Sequence, residues 1–161
     1  MINGSCLCGG IKFQFKQVSG PMEICHCNRC RKKSGTSSLT TVVVRIRDFT
    51  LLQGKELINC YSAPILYSDP AYQSYFCNRC GSPVPPAIDD AETVEIPAGL
   101  LDNDPQKRPD KHIFVEMVPH WDTISDELPQ YKIRELVKER HNQELPENFK
   151  LKSHYDSTES Q

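Results

Sequence analysis

The chain lacks a strong charge of either sign and any long apolar run. Its 161 residues carry 19 Lys and Arg against 21 Asp and Glu, so the net charge is only −2. Bulk attraction to nucleic acid or to an anionic membrane is therefore not expected. No window approaches the roughly 18 consecutive apolar residues of a membrane helix. The opening MINGSCLCGG shows no signal-peptide pattern. We expect a cytoplasmic protein with neither a membrane nor a nucleic-acid partner; the oligomeric state is not indicated.

Long helices are also scarce in the pattern, since 12 prolines interrupt the chain, mostly in its middle. Short runs rich in β-branched or alternating apolar residues predict strands at 11–15, 39–46, 49–52, 57–61, 72–76, 93–96 and 112–118. The turn residues at 53–55 predict a hairpin between two of these strands. Two short helices are predicted, at 28–33 and 130–141.

The predicted fold class is therefore mainly β, with short helices and a C-terminal helix. One domain is predicted for residues 1–143, because 161 residues suit a single core. The polar residues 144–161 are predicted to form a loosely ordered C-terminal tail.

Seven of the eight cysteines fall into three tight clusters, a pattern typical of zinc coordination by thiolates. The clusters are Cys6 and Cys8; Cys25, Cys27 and Cys30; and Cys77 and Cys80. Without an export signal, metal binding is favoured over disulfides. The eighth cysteine, Cys60, is expected to be a small buried hydrophobic residue. One closed four-sulfur site would leave three thiols for a second, open site.

Spacing alone does not decide which clusters share a metal. The two C-N-R-C turns at 27–30 and 77–80 could pair as in a zinc ribbon. Alternatively, Cys6 and Cys8 join the turn at 77–80 and leave the central trio alone. We prefer the second arrangement, because it keeps three sequence neighbours together and closes a loop between the start and the middle of the chain. In extended chain, Cys6 and Cys8 would face the same side.

The residues of the central cluster permit chemistry on a thiol. Zinc held by three thiolates keeps a fourth position, and a thiol bound there has a lowered pKa and can attack an aldehyde carbonyl. Four cations, Arg29, Arg31, Lys32 and Lys33, flank the cluster. They are candidates to bind the carboxylates of a peptide-like thiol, although a solvated basic turn explains them equally well.

Several segments resemble the glutathione-dependent formaldehyde-activating enzyme family, which also includes centromere protein V. The cysteine-bearing segments are residues 4–10 (GSCLCGG), 25–35 (CHCNRCRKKSG) and 76–82 (FCNRCGS). The resemblance continues at residues 98–102, 112–116, 121–122 and 128–131, and so covers most of residues 3–131.

The resemblance implies an Mss4-like, mainly β fold with two zinc ions. It implies that Cys6, Cys8, Cys77 and Cys80 bind a structural zinc, and that Cys25, Cys27 and Cys30 bind a second, more weakly held zinc at an active site. It further implies a carbon–sulfur lyase that joins formaldehyde to glutathione, a small-molecule thiol.

Four further residues are singled out, and none of them is predicted to be catalytic. His26 lies between two ligands and is expected to point away from them. Asp102 and His112 fall in segments that match the family, but a lone histidine at a strand start is more often structural. Trp121 is expected in the core or in a pocket wall.

Two function hypotheses follow from these observations. The first is a zinc-dependent carbon–sulfur lyase that acts on the aldehyde adduct of a small, glutathione-like thiol. The alternative is a non-catalytic, zinc-stapled binding module with two structural sites. The nature of the fourth ligand at the central cluster distinguishes the two.

Overall fold

Ten β-strands and two α-helices make up the part of the chain that the structure, a computed structural model, describes: residues 1–63, 71–87 and 90–151. The strands are β1 Ile2–Ser5, β2 Lys12–Phe15, β3 Met22–Cys25, β4 Leu39–Arg45, β5 Phe49–Gln53, β6 Ile58–Ser62, β7 Gln73–Cys77, β8 Thr93–Pro97, β9 Lys111–Ile113 and β10 Gln130–Tyr131. The helices are α1 Asn28–Ser34 and α2 Ile133–His141. The predicted mainly β fold class is confirmed, and it fits the Mss4-like description.

These elements belong to two compact units of the chain, each with its own apolar core. The first unit comprises residues 1–24, 40–60 and 75–110. The second comprises residues 25–39, 61–74 and, as far as the structure describes it, the chain from 111 onward. The single domain proposed for residues 1–143 stays a prediction.

In the first unit, β1, β2 and β5 form an antiparallel sheet. Along β2, Phe13 and Phe15 are fully buried whereas Lys12 is exposed, so the predicted alternation is confirmed. Gly4 of β1 lies opposite Phe13, and a Cβ atom at Gly4 would lie 2.2 Å from that ring. Glycine is therefore required for β1 to approach β2 this closely.

The core of the first unit is completed by β4, which lies between β3 and β8 and pairs antiparallel with β8. The β-branched side chains of Val42, Val44 and Ile96 have no exposed surface. Such residues pack well on a pleated surface. The strand predicted from their density is confirmed, and it ends at Arg45.

The predicted hairpin at residues 53–55 is wrong. β5 pairs with β2, whereas β6 pairs with β7, so the two neighbouring strands belong to different sheets. Gly54 adopts a left-handed conformation with φ of 85°, and a 3-10 turn over Lys55–Leu57 leads into β6. The pattern signals a turn correctly but does not tell which strands pair.

In the second unit, β9 pairs with β10 in parallel. The strand predicted over residues 112–118 ends at Ile113, because Phe114 has φ of 58° and Val115–Met117 form a 3-10 turn. A left-handed residue cannot continue an extended strand. This short strand holds His112 next to His26, which lies between Cys25 and Cys27 in the sequence.

Helix α1 confirms the helix predicted at residues 28–33. Cys27 precedes it in extended conformation, and its Sγ accepts a hydrogen bond from the backbone N–H of Cys30 at 3.5 Å. Gly35 ends the helix with φ of 70° and donates its N–H to the carbonyl of Arg31 at 2.8 Å. A metal-binding residue type thus also serves as the helix cap.

Helix α2 begins at Ile133 rather than at the predicted 130, because residues 130–131 form β10. Its N-terminus is capped by the Glu135 carboxylate, which accepts from the backbone N–H of Lys132 at 2.7 Å. Ile133 and Leu136 are buried in the core of the second unit. No helix in the described ranges is long and apolar enough to cross a bilayer.

The described part of the predicted tail, residues 144–151, packs against the rest of the second unit. Arg134 of α2 donates to three successive backbone carbonyls, at 2.9, 2.8 and 3.0 Å; they belong to Leu145, Pro146 and Glu147. Leu145, Phe149 and Leu151 also contact the apolar core of the second unit. The rest of the predicted tail, residues 152–161, lies outside the described residues.

Candidate metal centres

Four cysteine sulfurs of the first unit converge on one point. Cys6 and Cys8 lie in the turn after β1, and Cys77 and Cys80 lie at the end of β7. All four Sγ atoms lie within 4.8 Å of one another, with 3.5 Å between Cys6 and Cys8 and 3.9 Å between Cys8 and Cys77. We call this group the quartet.

The quartet fits a tetrahedral zinc ion. Four sulfurs about 2.3 Å from a zinc ion are separated by about 3.8 Å from one another, close to the recorded distances between the quartet sulfurs. The donor set is also the usual one for a closed, structural site. Zinc at the quartet is therefore chemically reasonable, and its presence stays a prediction.

Cys6 and Cys8 reach the quartet through a turn, so the extended conformation expected for them is wrong. The backbone N–H of Gly9 donates to the carbonyl of Cys6 at 2.8 Å, which closes the turn. The N–H of Ile11 then donates to Cys6 Sγ at 3.3 Å. Gly9 has φ of 69°, a conformation that glycine adopts without steric cost.

The C-N-R-C sequence at 77–80 forms a tight turn that ends at Gly81. Gly81, with φ of 75°, donates its N–H to the carbonyl of Cys77 at 2.8 Å. Ser82 forms hydrogen bonds with the Cys80 thiol. The bond of its side chain, followed by that of its backbone, lowers the pKa of Cys80 to about 6. The Ser82 hydroxyl also accepts from the N–H of Leu7 at 3.1 Å, which joins the two cysteine turns. The turn favours the thiolate form that a metal requires.

Three cysteine sulfurs of the second unit form a separate group, which we call the trio. Cys25 ends β3, Cys27 caps α1, and Cys30 lies in its first turn. Their Sγ atoms lie within 4.8 Å of one another. The structure therefore brings the cysteines together in the preferred arrangement, quartet and trio, and not as two paired C-N-R-C turns. Three sulfurs fit a zinc ion that retains a fourth coordination position.

Negative charge in the trio is concentrated on Cys27. Hydrogen bonds from Cys25 and then from Cys30 lower the pKa of Cys27 to about 2, and the nearby Arg29 adds to this effect. The same hydrogen bond to Cys27 raises the pKa of Cys25 well above 9.0. A metal that binds at the trio must therefore displace at least the proton of Cys25.

A hydrogen-bonded chain of three polar side chains adjoins the trio, with two buried histidines and an exposed carboxylate at its outer end. His26 Nε2 lies 2.8 Å from His112 Nδ1, and His112 Nε2 lies 3.0 and 3.1 Å from the two carboxylate oxygens of Asp126. His26 and His112 are only 3% and 4% exposed. Burial, followed by the proximity of His112, lowers the pKa of His26.

The hydrogen-bonded side chains agree with the expectation for His26 and extend the one for His112. His26 does not belong to the group of sulfurs, as expected from its place between two ligands. His112 is structural in its surroundings but is not alone, since it bridges His26 and Asp126. Sequence reasoning missed Asp126, because nothing in the pattern connects it with a histidine 14 residues earlier.

Three of the four predicted cations, Arg29, Lys32 and Lys33, line a cavity of about 260 Å³. Tyr72 lines it as well: the Arg29 guanidinium lies 4.9 Å from its ring centroid, and Lys33 Nζ donates to its hydroxyl at 3.3 Å. Arg31 does not contribute to this lining. A role of the four cations in binding substrate stays a prediction.

Comparison with known proteins decides the family. Residues 1–117 match the family described as glutathione-dependent formaldehyde-activating enzyme. The chain belongs to this family. A crystal structure of a Rhodobacter sphaeroides protein is similar at 17% identity and a TM-score of 0.49, and the match covers 80% of this chain and 99% of that one. No protein with a curated description matches. The link to centromere protein V stays a prediction.

Other residues of this formaldehyde-activating family member lie where the sequence did not indicate. Trp121 is 73% exposed, so it is not a core residue. Cys60 is exposed, so its expected burial is wrong; it lies on β6, outside both sulfur groups. Asp102 accepts a hydrogen bond from the Ser5 hydroxyl at 3.1 Å in the first unit. None of the three residues acquires a catalytic role from its surroundings.

Proposed function

We propose that this chain is a zinc-dependent carbon–sulfur lyase of the formaldehyde-activating type, acting on the aldehyde adduct of a small, glutathione-like thiol. The observation that carries the proposal is the trio: three convergent sulfurs, one fewer than a closed zinc site needs, in a chain of this family. We propose zinc at both groups, as a structural ion at the quartet and a more weakly held ion at the trio.

The residues of the trio support this division of roles. Cys25 and Cys27 are buried and Cys30 is half-buried, so the group is shielded from bulk water on most sides. A zinc ion held there would supply a position at which a thiol has a lowered pKa. His26 does not belong to the sulfur group and its Nε2 contacts His112, so we propose that the fourth position is left to a substrate.

The proposed reaction needs no redox partner. In the direction of synthesis, the thiol sulfur bonds to the carbonyl carbon of the aldehyde, and the carbonyl oxygen takes up one proton. That proton balances the one released by the thiol. In the direction of cleavage, the hydroxyl loses its proton, the carbonyl re-forms and the carbon–sulfur bond breaks.

The cations of α1 are proposed to bind the substrate. Glutathione carries two carboxylates, and Arg29, Lys32 and Lys33 line one cavity close in sequence to the trio. Arg31, on the same helix, adds positive charge without lining the cavity. A small-molecule thiol is thus the proposed partner, whereas a cytoplasmic location and the lack of a nucleic-acid partner stay predictions.

The test measures, by exchange NMR, how fast ¹³C-formaldehyde and glutathione form their adduct and how fast the adduct separates again. The zinc-loaded protein should raise this exchange rate above the spontaneous one, and Cys30→Ser should abolish the increase. Cys60→Ser is the matched control, because Cys60 is exposed and belongs to neither sulfur group; its rate should equal that of the wild type.

The opposite result would support the alternative function. A protein that holds two zinc ions per chain yet leaves the exchange at the spontaneous rate is not a lyase for this adduct. It would then fit the non-catalytic, zinc-stapled binding module, in which the trio is a second structural site.

A further inference from the structure

The segment Cys25–His26–Cys27 is held by strand β9 of the same unit. The backbone N–H of His26 donates to the carbonyl of Ile113 in β9 at 3.0 Å. Its imidazole is stacked on that of His112, with 5.1 Å between the ring centroids and Nε2 2.8 Å from His112 Nδ1. His26, which lies between two metal-ligand positions, is therefore held by β9 through both its backbone and its side chain.

The order of donors and acceptors from His26 through His112 to Asp126 follows from the Asp126 end. The Asp126 carboxylate accepts, so His112 Nε2 carries the proton and donates. With a neutral ring, His112 Nδ1 then accepts from the Nε2–H of His26. In this order every contact pairs one donor with one acceptor, and His26 Nε2 is not available as a metal ligand.

The outer end of the chain is itself fixed. The Asp126 carboxylate accepts a second hydrogen bond, from the N–H of Leu128 at 2.9 Å, and the N–H of His112 donates to the carbonyl of Pro129 at 2.8 Å. The loop that carries Asp126 is thus tied to the strand that carries His112. Hydrogen-bonded residues behind metal ligands commonly set ligand orientation and affinity.

We propose that His112 and Asp126 are positioning residues for the trio, acting through His26. They fix the Cys25–Cys27 segment and hold the His26 imidazole away from the three sulfurs, which keeps one coordination position of a bound metal open. The proposal rests on zinc binding at the trio, as in the proposed function. It assigns neither residue a contact with the metal or with the substrate.

The test compares variants of the full-length, zinc-loaded protein. His112→Phe keeps a ring but removes both hydrogen bonds, and Asp126→Ala removes the outer acceptor. His112→Gln is the conservative variant, because its amide can both accept and donate. Glu127→Ala is the matched control: Glu127 is exposed, adjoins Asp126, and has no hydrogen bond or ion pair recorded among the described residues.

Zinc affinity at each group is read with chelators of graded strength, and the quartet serves as the internal control for folding. His112→Phe and Asp126→Ala should weaken zinc binding at the trio about 10- to 100-fold, with His112→Gln losing less and Glu127→Ala matching the wild type. The quartet should keep its zinc in all four variants.

A second readout is the visible spectrum after the zinc of the trio is exchanged for Co²⁺. The bands report the ligand geometry, and they should change in His112→Phe and return towards the wild type in His112→Gln. Unchanged bands with trio affinities within twofold of the wild type would overturn the proposal. Equal zinc loss from trio and quartet would also overturn it, since this indicates general unfolding.

The test separates this inference from the proposed function. A wild-type protein with two zinc ions and no effect on the glutathione–formaldehyde exchange refutes the lyase while leaving the variant comparison valid. A wild-type protein whose trio binds no zinc refutes the positioning role as well.

Discussion

At Gly4 of β1, a Cβ atom would lie 2.2 Å from the ring of Phe13, one of the two fully buried phenylalanines of β2. The position is constrained from two sides, because a Cβ atom would also lie 2.9 Å from the carbonyl oxygen of Leu100. Neither contact can relax cheaply: one partner is a packed aromatic ring and the other is backbone. The constraint comes from packing rather than from an unusual backbone angle.

Gly4→Ala should therefore destabilise the protein by about 1–3 kcal/mol, the usual cost of overpacking a core. Denaturant unfolding of the zinc-loaded protein measures it. Gly99→Ala is the matched control, since a Cβ atom at Gly99 would meet nothing within 4 Å. Equal stability of Gly4→Ala and Gly99→Ala would contradict the packing argument.

Among the elements, α1 combines two roles in seven residues. Its first turn carries Arg29 and supplies Cys30 to the trio, and its last turn carries the other three cations; the first turn has no acidic residue. Arg31, Lys32 and Lys33 also lie near its C-terminus, where the helix dipole stabilises positive charge. Three of the four cations therefore lie where the helix dipole favours them, close in sequence to the sulfurs.

Removing a cation of α1 should weaken substrate binding without releasing metal. Arg29→Ala should raise the KM for glutathione about fivefold, equivalent to about 1 kcal/mol, with two zinc ions retained per chain. Lys55→Ala, an exposed cation of the first unit, is the control and should leave KM unchanged. The same KM in both variants would exclude Arg29 from substrate binding.

The sequence predicts an element well when the contacts that form it are between residues close in sequence, and poorly when they are between distant residues. The cysteine clusters, α1 and the alternation of β2 arise from contacts between near neighbours, and all were predicted. The hairpin at 53–55 was wrong because strand pairing depends on distant partners. The end of β9 depends on Phe114 in a left-handed conformation, which its residue type does not suggest.

The candidate sites follow this rule only in part, because the quartet joins Cys8 and Cys77, which are 69 residues apart. The grouping of Cys6 and Cys8 with Cys77 and Cys80 was preferred among two arrangements, and the structure brings these sulfurs together. The partner of His112 escaped prediction, because a carboxylate on a loop leaves no periodic signal. The exposure of Trp121 was missed for a related reason, since its residue type alone favours burial.

For the molecule as a whole, acid should release the two proposed zinc ions in order. Ligand thiols must be deprotonated, so a lower pH favours protons over metal. Both groups contain one thiol with a raised pKa and one with a lowered pKa: Cys25 and Cys27 in the trio, and Cys8 (about 11) and Cys80 (about 6) in the quartet. The order is therefore set by the number of ligands, since four sulfurs hold zinc against protons better than three. As pH falls from 8, the trio should therefore lose its zinc at a higher pH than the quartet.

A chromogenic chelator added along an acid titration would show two steps of one zinc per chain. Cys30→Ser should remove the step at higher pH and leave the other, and Cys60→Ser should keep both. A single step that releases both ions together would contradict the assignment of different affinities to the trio and the quartet.

The spacing of the quartet along the chain also affects how the protein is made. The trio is complete in sequence at residue 30, but the quartet only at residue 80, so 50 residues are synthesised between the two events. At about 5–20 residues per second this takes roughly 3–10 s. During this interval the nascent chain carries five metal-binding thiols and no second half for the quartet, so Cys6 and Cys8 can recruit the sulfurs of the trio to a wrongly shared ion. The quartet can form only after Cys77 and Cys80 have been synthesised, so a metal ion bound before then has only these five thiols as cluster ligands.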